Sequence, residues 1–362
     1  MKEIASNRKI SQKLVSMITA AALLAPTALT AQTPPPGGKP YTSVPSVPIK
    51  RCANLGNMFE QPKGAAWGGR MPVEKDLAEI AAIGFDTVRF PVRWSAYADS
   101  KPPYTIDPEM FKKADEVVDW ATKHKLNIIV DLHHYDELFT DPDGHKDRFI
   151  GLWQQLAEHY KDRGENVFFE VINEPHNKLT NDVVEPMLTA ILADIRKTNP
   201  TRKVIMGGDF WSGISSLETF DPPKDPNVIA TFHFYEPFNF THQGASWVNP
   251  SPPAPASFGS EEDYAWLDKM ADATIKFQQR TGVPLFLGEF GAIDSAPLKE
   301  RARYTYAVRK QAEALNIGWC VWAYTNTFHV RQGEEWIPSM VAALGLQQAP
   351  AAKSEESPAK SE

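Results

Sequence analysis

Two glutamates in this 362-residue chain each close a short apolar run: Glu174 in Val171-Ile172-Asn173-Glu174-Pro175 and Glu289 in Phe286-Leu287-Gly288-Glu289-Phe290. An ionised carboxylate is costly wherever water is excluded, unless a partner compensates it. Two carboxylates facing one another across a cleft supply what glycosidic bond cleavage needs. One is protonated and assists the leaving oxygen; the other is ionised and attacks carbon or activates water. A gap near ~5 Å implies retention of configuration, and one several ångströms wider implies inversion. Polar and aromatic residues end the other apolar runs in the same way: Asn54 and Asn57, Arg89 and Arg93, Asp131, His133 and Tyr135, His233 and Tyr235, and Trp322. Unrelated structural ion pairs would have no reason to gather at one end of successive runs.

The runs themselves lie at 52–55, 87–90, 127–132, 167–172, 203–206, 228–234, 284–287 and 318–322. Between them come helical patterns at 73–83, 108–124, 148–160, 182–198, 264–281 and 299–315. Phe111, Ala114, Val117, Val118 and Ala121 recur at three- and four-residue steps, as one buried helix face requires. Strands alternating with helices imply parallel strands covered on both faces, which accounts for runs as apolar as Val228-Ile229-Ala230. About eight such units predict an α/β fold, a single (β/α)8 TIM barrel. A doubly wound open sheet is the other arrangement, but no glycine-rich dinucleotide turn follows the first run. In a barrel the C-terminal strand ends surround one mouth, and strands four and seven stand across it from each other. Glu174 and Glu289 then face one another.

Over nearly all of the region 49–346 the chain resembles glycoside hydrolase family 5, the cellulase family. Asn173-Glu174-Pro175 resembles the family's fourth-strand signature. Further matches are Arg89 in Val-Arg-Phe-Pro, His133 in Asp-Leu-His-His, His233 and Tyr235 in Phe-His-Phe-Tyr, Trp322 on the last run, and Asn54-Leu55-Gly56-Asn57. The resemblance implies a retaining mechanism with Glu174 as acid/base and Glu289 as nucleophile.

Chemistry and resemblance together suggest the supporting roles. A guanidinium close to a carboxylate holds it ionised, so Arg89 suits Glu289. Tyr235 can donate a hydrogen bond to Glu289, and Asn173 is placed to bind a sugar 2-hydroxyl. His133 and His233 are expected to hold the sugar and the acid/base side chain. Asp131 shares strand parity with His133 and either orients it or forms a buried structural pair. Glu170 shares parity with Glu174 and is expected one layer below it, as partner of an arginine. Trp322 is expected to stack on the reacting sugar. Trp67, Trp211 and Trp247 follow the first, fifth and sixth runs and suit the rim of a polymer-binding groove, which the insertion 241–258 and Gly333-Glu334-Glu335 also shape. No metal or other cofactor is expected. His133 and His134 are adjacent and, on a strand, point to opposite faces, and no paired Cys or His-x-x-x-His accompanies them.

The 38 Lys and Arg against 45 Asp and Glu give a net charge of −7, without the basic footprint of a nucleic-acid binder. The 10 Trp, 10 Tyr and 19 Phe suit a core, a sugar-binding cleft, or both. Lys2, Arg8, Lys9 and Lys13 precede an apolar run, which predicts a signal peptide over 1–31 and a secreted or periplasmic enzyme; an uncleaved anchor is the alternative. A Pro/Gly-rich linker is expected over 32–48 and a disordered tail over 347–362. Cys52 and Cys320 are either two buried thiols or, if the barrel closes, a disulfide between neighbouring runs.

The expected function is a monomeric retaining endo-β-1,4-glucanase on cellulose-like or mixed-linkage β-glucan. A β-mannanase, a xyloglucanase or an exo-acting β-glucosidase would use the same apparatus. A non-catalytic carbohydrate-binding barrel is the reading from a different class, and would need neither Arg89 nor Tyr235 beside Glu289.

Overall fold

The computed structural model describes residues 46–347 other than 66, 68 and 69. The expected signal peptide, most of the linker and all of the tail but Gln347 lie outside the described residues. Eight strands form a closed parallel barrel in chain order: β1 Arg51–Asn54, β2 Thr87–Val92, β3 Asn127–Leu132, β4 Val167–Glu170, β5 Val204–Gly207, β6 Val228–Phe234, β7 Leu285–Phe290 and β8 Gly318–Val321. β1 pairs with both β2 and β8, which closes the ring. The helices are α1 Glu74–Ile83, α2 Pro108–Lys123, α3 Asp136–Thr140, α4 Pro142–His159, α5 Asn181–Thr198, α6 Phe238–Thr241, α7 Glu261–Thr281, α8 Leu298–Ala314 and α9 Pro338–Ala343.

Local sequence explains the boundaries. Asp107 accepts from the Glu109 amide ahead of Pro108, a cap followed by a proline that starts α2. Ser260 and Asp263 form a reciprocal capping box that starts α7, and Gly282 ends it in the left-handed conformation. α4 begins six residues before the expected 148, because Asp141 caps it and Pro142 occupies its first position.

The barrel interior is layered. Its floor is apolar: Val47, Ile49, Cys52, Ile129, Phe168, Ile205, Ile229, Phe286 and Cys320 form a cluster separate from the core between strands and helices. Cys52 and Cys320 are opposed on β1 and β8 and are joined by a disulfide, so the buried-thiol alternative does not hold. Above the floor lies a polar layer of Asn54, Arg89, Asp131 and Glu170, all fully buried.

The register of β7 departs from simple alternation. Phe232 of β6 pairs with Leu287, but the next residue, His233, pairs with Glu289, so Gly288 is an extra residue in β7. Alternation from the inward Phe286 would turn Glu289 away from the barrel axis. The bulge turns it inward.

Candidate active site

Arg89 organises the polar layer. Its Nε and Nη2 donate to the two oxygens of Glu170 at 2.7 and 2.9 Å, a bidentate pairing that supplies the arginine partner expected for that glutamate. Nη1 donates to Glu289 Oε1 at 2.7 Å and to Asn54 Oδ1 at 3.0 Å, and Nη2 also reaches Asn173 Oδ1 at 2.7 Å. With that oxygen engaged, the amide nitrogen is the donor that Asn173 offers, and it also helps to hold the Glu174 anion. Asp131 lies 3.1 Å from Arg89 and 2.6 Å from His133 Nδ1, so both roles considered for it are realised at once.

The two glutamates differ in their partners. Glu289 Oε2 accepts a 2.8 Å hydrogen bond from the Tyr235 hydroxyl in addition to the Arg89 contact. Glu174 has His233 Nδ1 at 2.8 Å and makes no direct contact with a guanidinium. Burial pushes each carboxyl up to about 7; for Glu289, the Arg89 charge and the Tyr235 bond oppose the rise. Two such neighbours titrate as a pair. With Arg89 and Tyr235 both stabilising the anion on Glu289, the shared proton belongs on Glu174. The Tyr235 hydroxyl is itself held well above its ordinary range by burial and by both carboxylates, so it stays a donor. Burial lowers the pKa of His133 and His233, leaving both rings neutral near pH 7. One oxygen of each glutamate and His233 lie within 4.8 Å of one another. A closest approach of the two carboxyls inside that bound suits the ~5–5.5 Å spacing of retaining pairs. The same three side chains could gather round a cation, but Arg89 and Tyr235 already answer the charge of Glu289.

Trp322 lies against His133, with rings parallel and 5.8 Å apart, and Gly56 approaches it so closely that a Cβ would meet the indole at 2.9 Å. The three other tryptophans are all exposed, by 41% for Trp67, 53% for Trp211 and 58% for Trp247. Trp211 stacks on His176, whose Nδ1 sits 2.6 Å from the Glu174 carbonyl; nothing in the sequence pattern singled out His176, although it stands two residues from Glu174. Trp67 meets His134 edge-on, and Trp247 lies beside His242 and Phe328.

The backbone amide of Asn57 binds Glu60, and Asn54 is the asparagine that reaches Arg89. Tyr135 is buried and bonded to His145 and Arg148. Arg93 joins the Glu60 carbonyl to Asp136. β3 ends at Leu132 and His134 takes a positive φ of 53°, so the rings of His133 and His134 meet edge-on at 4.3 Å and do not point to opposite faces. Glu334 pairs with Lys75 of α1.

A closed (β/α)8 barrel with a close, unequally supported pair of glutamates at its mouth defines a glycoside hydrolase of the two-carboxylate class. The sequence profile of the cellulases, glycosyl hydrolase family 5, matches residues 49–327, and the chain belongs to that family. It is 32% identical to Endoglucanase H of Acetivibrio thermocellus over 80% of its own length and 31% of that relative's. It is 27% identical to Endoglucanase 3 of Fibrobacter succinogenes over 82% of its length and 53% of the relative's. The chain thus spans about a third and about half of these two relatives. Among solved structures it resembles Thermotoga maritima Cel5A in complex with cellobiose, with a TM-score of 0.79 and 36% identity over 82% of this chain and 97% of that one. Cel5A has also been solved with mannotriose.

Proposed function

We propose that the chain is a retaining endo-β-1,4-glucanase acting on cellulose-like or mixed-linkage β-glucan. The observation that carries the reading is the unequal pair, Glu289 held by Arg89 and Tyr235 and Glu174 held by neutral His233. Glu289 attacks the anomeric carbon while Glu174 gives its proton to the departing oxygen, leaving a covalent glycosyl-enzyme. Glu174, now ionised, takes a proton from water, which displaces Glu289 and restores the starting state. Asn173 donates its amide N–H to the 2-hydroxyl as positive charge develops in the ring. Trp322 supplies the stacking face for the reacting sugar, and Trp67, Trp211 and Trp247 supply further faces along the strand.

The glucan preference is supported by the endoglucanase relatives and by the cellobiose complex. A mannan-accepting variant of the same reading is favoured by the mannotriose complex. We further propose export and action as a monomer; the disulfide supports an oxidising compartment. The test is reducing-sugar release and viscosity on carboxymethyl-cellulose, mixed-linkage β-glucan, glucomannan and mannan, with Glu289→Gln as blank. Fast viscosity loss on the first two, absent in the variant, is the expected outcome. Activity on mannan alone would overturn the substrate and leave the mechanism standing.

A further inference from the structure

We propose that Gln243 is a positioning residue that sets how firmly long substrates are gripped, by stapling the loop that carries Trp247. The inference rests on the glucanase reading for its choice of substrates. Gln243 is fully buried in a loop that is otherwise mostly exposed. Its Nε2 donates to the Ala256 carbonyl at 2.9 Å and to the Phe240 carbonyl at 3.1 Å, and its Oε1 accepts from the Ala256 amide at 2.9 Å. One side chain therefore pairs with both backbone groups of Ala256, as a neighbouring strand would. The amide is suited to this because it offers donor and acceptor without charge.

Between the ends of this staple, only Ala245 and Pro252 of residues 244–255 are buried, so apolar packing does little to fix the loop. Polar pegs do the rest: Gly244 donates to the Pro252 carbonyl at 2.8 Å, and the Ser295 hydroxyl to the Gln243 carbonyl at 2.7 Å. The Ile293 amide fixes the loop's root through Thr241 at 2.9 Å. Trp247 stands out of this loop against Phe328, 6.3 Å away, and Phe328 in turn meets Tyr235 at 6.0 Å. Trp247 is thus two aromatic contacts from the nucleophile's hydrogen-bond donor, where it can hold a sugar unit other than the one being cleaved. Loosening the staple loosens that grip and leaves the carboxylates, Arg89 and Tyr235 in place.

The experiment compares Gln243→Ala, Trp247→Ala and the double variant on soluble mixed-linkage glucan and on an aryl β-cellobioside. Gln243→Ala is expected to raise KM for the polymer by about 3–10-fold, with kcat/KM on the aryl cellobioside within about twofold of wild type. The double variant is expected to be no worse on polymer than Trp247→Ala, because the two changes act through one element. Hydrogen exchange at residues 244–256 is expected to rise in Gln243→Ala. Equal losses on both substrates, additive losses in the double variant, or unchanged exchange would each overturn the proposal. If Gln243→Ala does not fold, Ser295→Ala removes one peg and must give a smaller version of the same split; its failure to do so also overturns it. A wild type inactive on every glucan would defeat the glucanase reading, while the exchange measurement would still decide whether Gln243 holds the loop.

Discussion

Glu174 and Glu289 are the same residue type held by different partners, His233 for one and Arg89 with Tyr235 for the other. For each, the folded state holds the carboxyl at about 7 against an ordinary value of 4.5, with burial the leading cause. The folded protein therefore binds more protons than the unfolded chain between those values, and stability falls as pH rises through that window. Replacing Glu174 by Gln removes the carboxyl that would have to ionise. The variant is expected to be more stable than wild type at pH 8, by on the order of 1–3 kcal/mol, and to show no such gain at pH 4. Denaturant unfolding at the two pH values reads this directly; equal shifts at both would mean that Glu174 ionises freely in the fold. The kinetic counterpart concerns the proton itself. Glu174→Gln is expected to lose about 10²–10⁴-fold on glucan but far less on an aryl glycoside, whose better leaving group needs less help from an acid. With that substrate the fall of kcat/KM at high pH, which reports loss of the proton from the pair, is expected to flatten.

At the scale of elements, β7 is where the site departs from a regular strand. The extra residue Gly288 turns Glu289 inward, and its missing side chain makes room: a Cβ there would lie 2.6 Å from Thr231 Oγ1 and 3.0 Å from His233 Nε2. Gly288→Ala should therefore displace His233, the partner of Glu174, lowering kcat by about tenfold or more and stability by about 1–3 kcal/mol. Steady-state kinetics beside a melting curve will tell; unchanged kcat would mean that the close approach has no catalytic consequence. This strand also marks the limit of what the sequence discloses. The spans 127–132 and 228–234 match β3 and β6, and parity alone places Asp131, Glu170 and His233 inside the barrel. Parity would misplace Glu289, since a bulge is set by pairing with neighbours that no local pattern encodes. That Asn54, not Asn57, reaches Arg89 was hidden for a related reason. β1 ends at Asn54, and Asn57, with a positive φ of 61°, belongs to a turn that a strand pattern does not describe. The staple made by Gln243 was not legible for a third reason. Its partner Ala256 is 13 residues away in a stretch without periodicity.

Taken as a whole, the barrel carries its destabilising groups and its constraint at different heights. Arg89 faces Asp131, Glu170 and Glu289 in the upper layers, where burial pushes all three carboxyls upward. Breaking such a buried network by removing one partner is costly, because the remaining charges stay where water cannot reach them. The disulfide lies in the apolar floor instead and ties β1 to β8 across a separation of 268 residues. A cross-link between the first and last strands acts on the unfolded chain, whose ends it holds together, and closes the one seam that local chain connectivity leaves open. Its loss should therefore cost stability without altering chemistry. The Cys52→Ala/Cys320→Ala double variant is expected to lose about 2–5 kcal/mol in denaturant unfolding while retaining wild-type kcat on an aryl cellobioside. Both cysteines are fully buried in the apolar floor cluster, so a fall in kcat comparable to the loss of stability would show that floor and mouth are mechanically coupled. Unchanged stability would show instead that the strand pairing of β1 with β8 closes the barrel unaided.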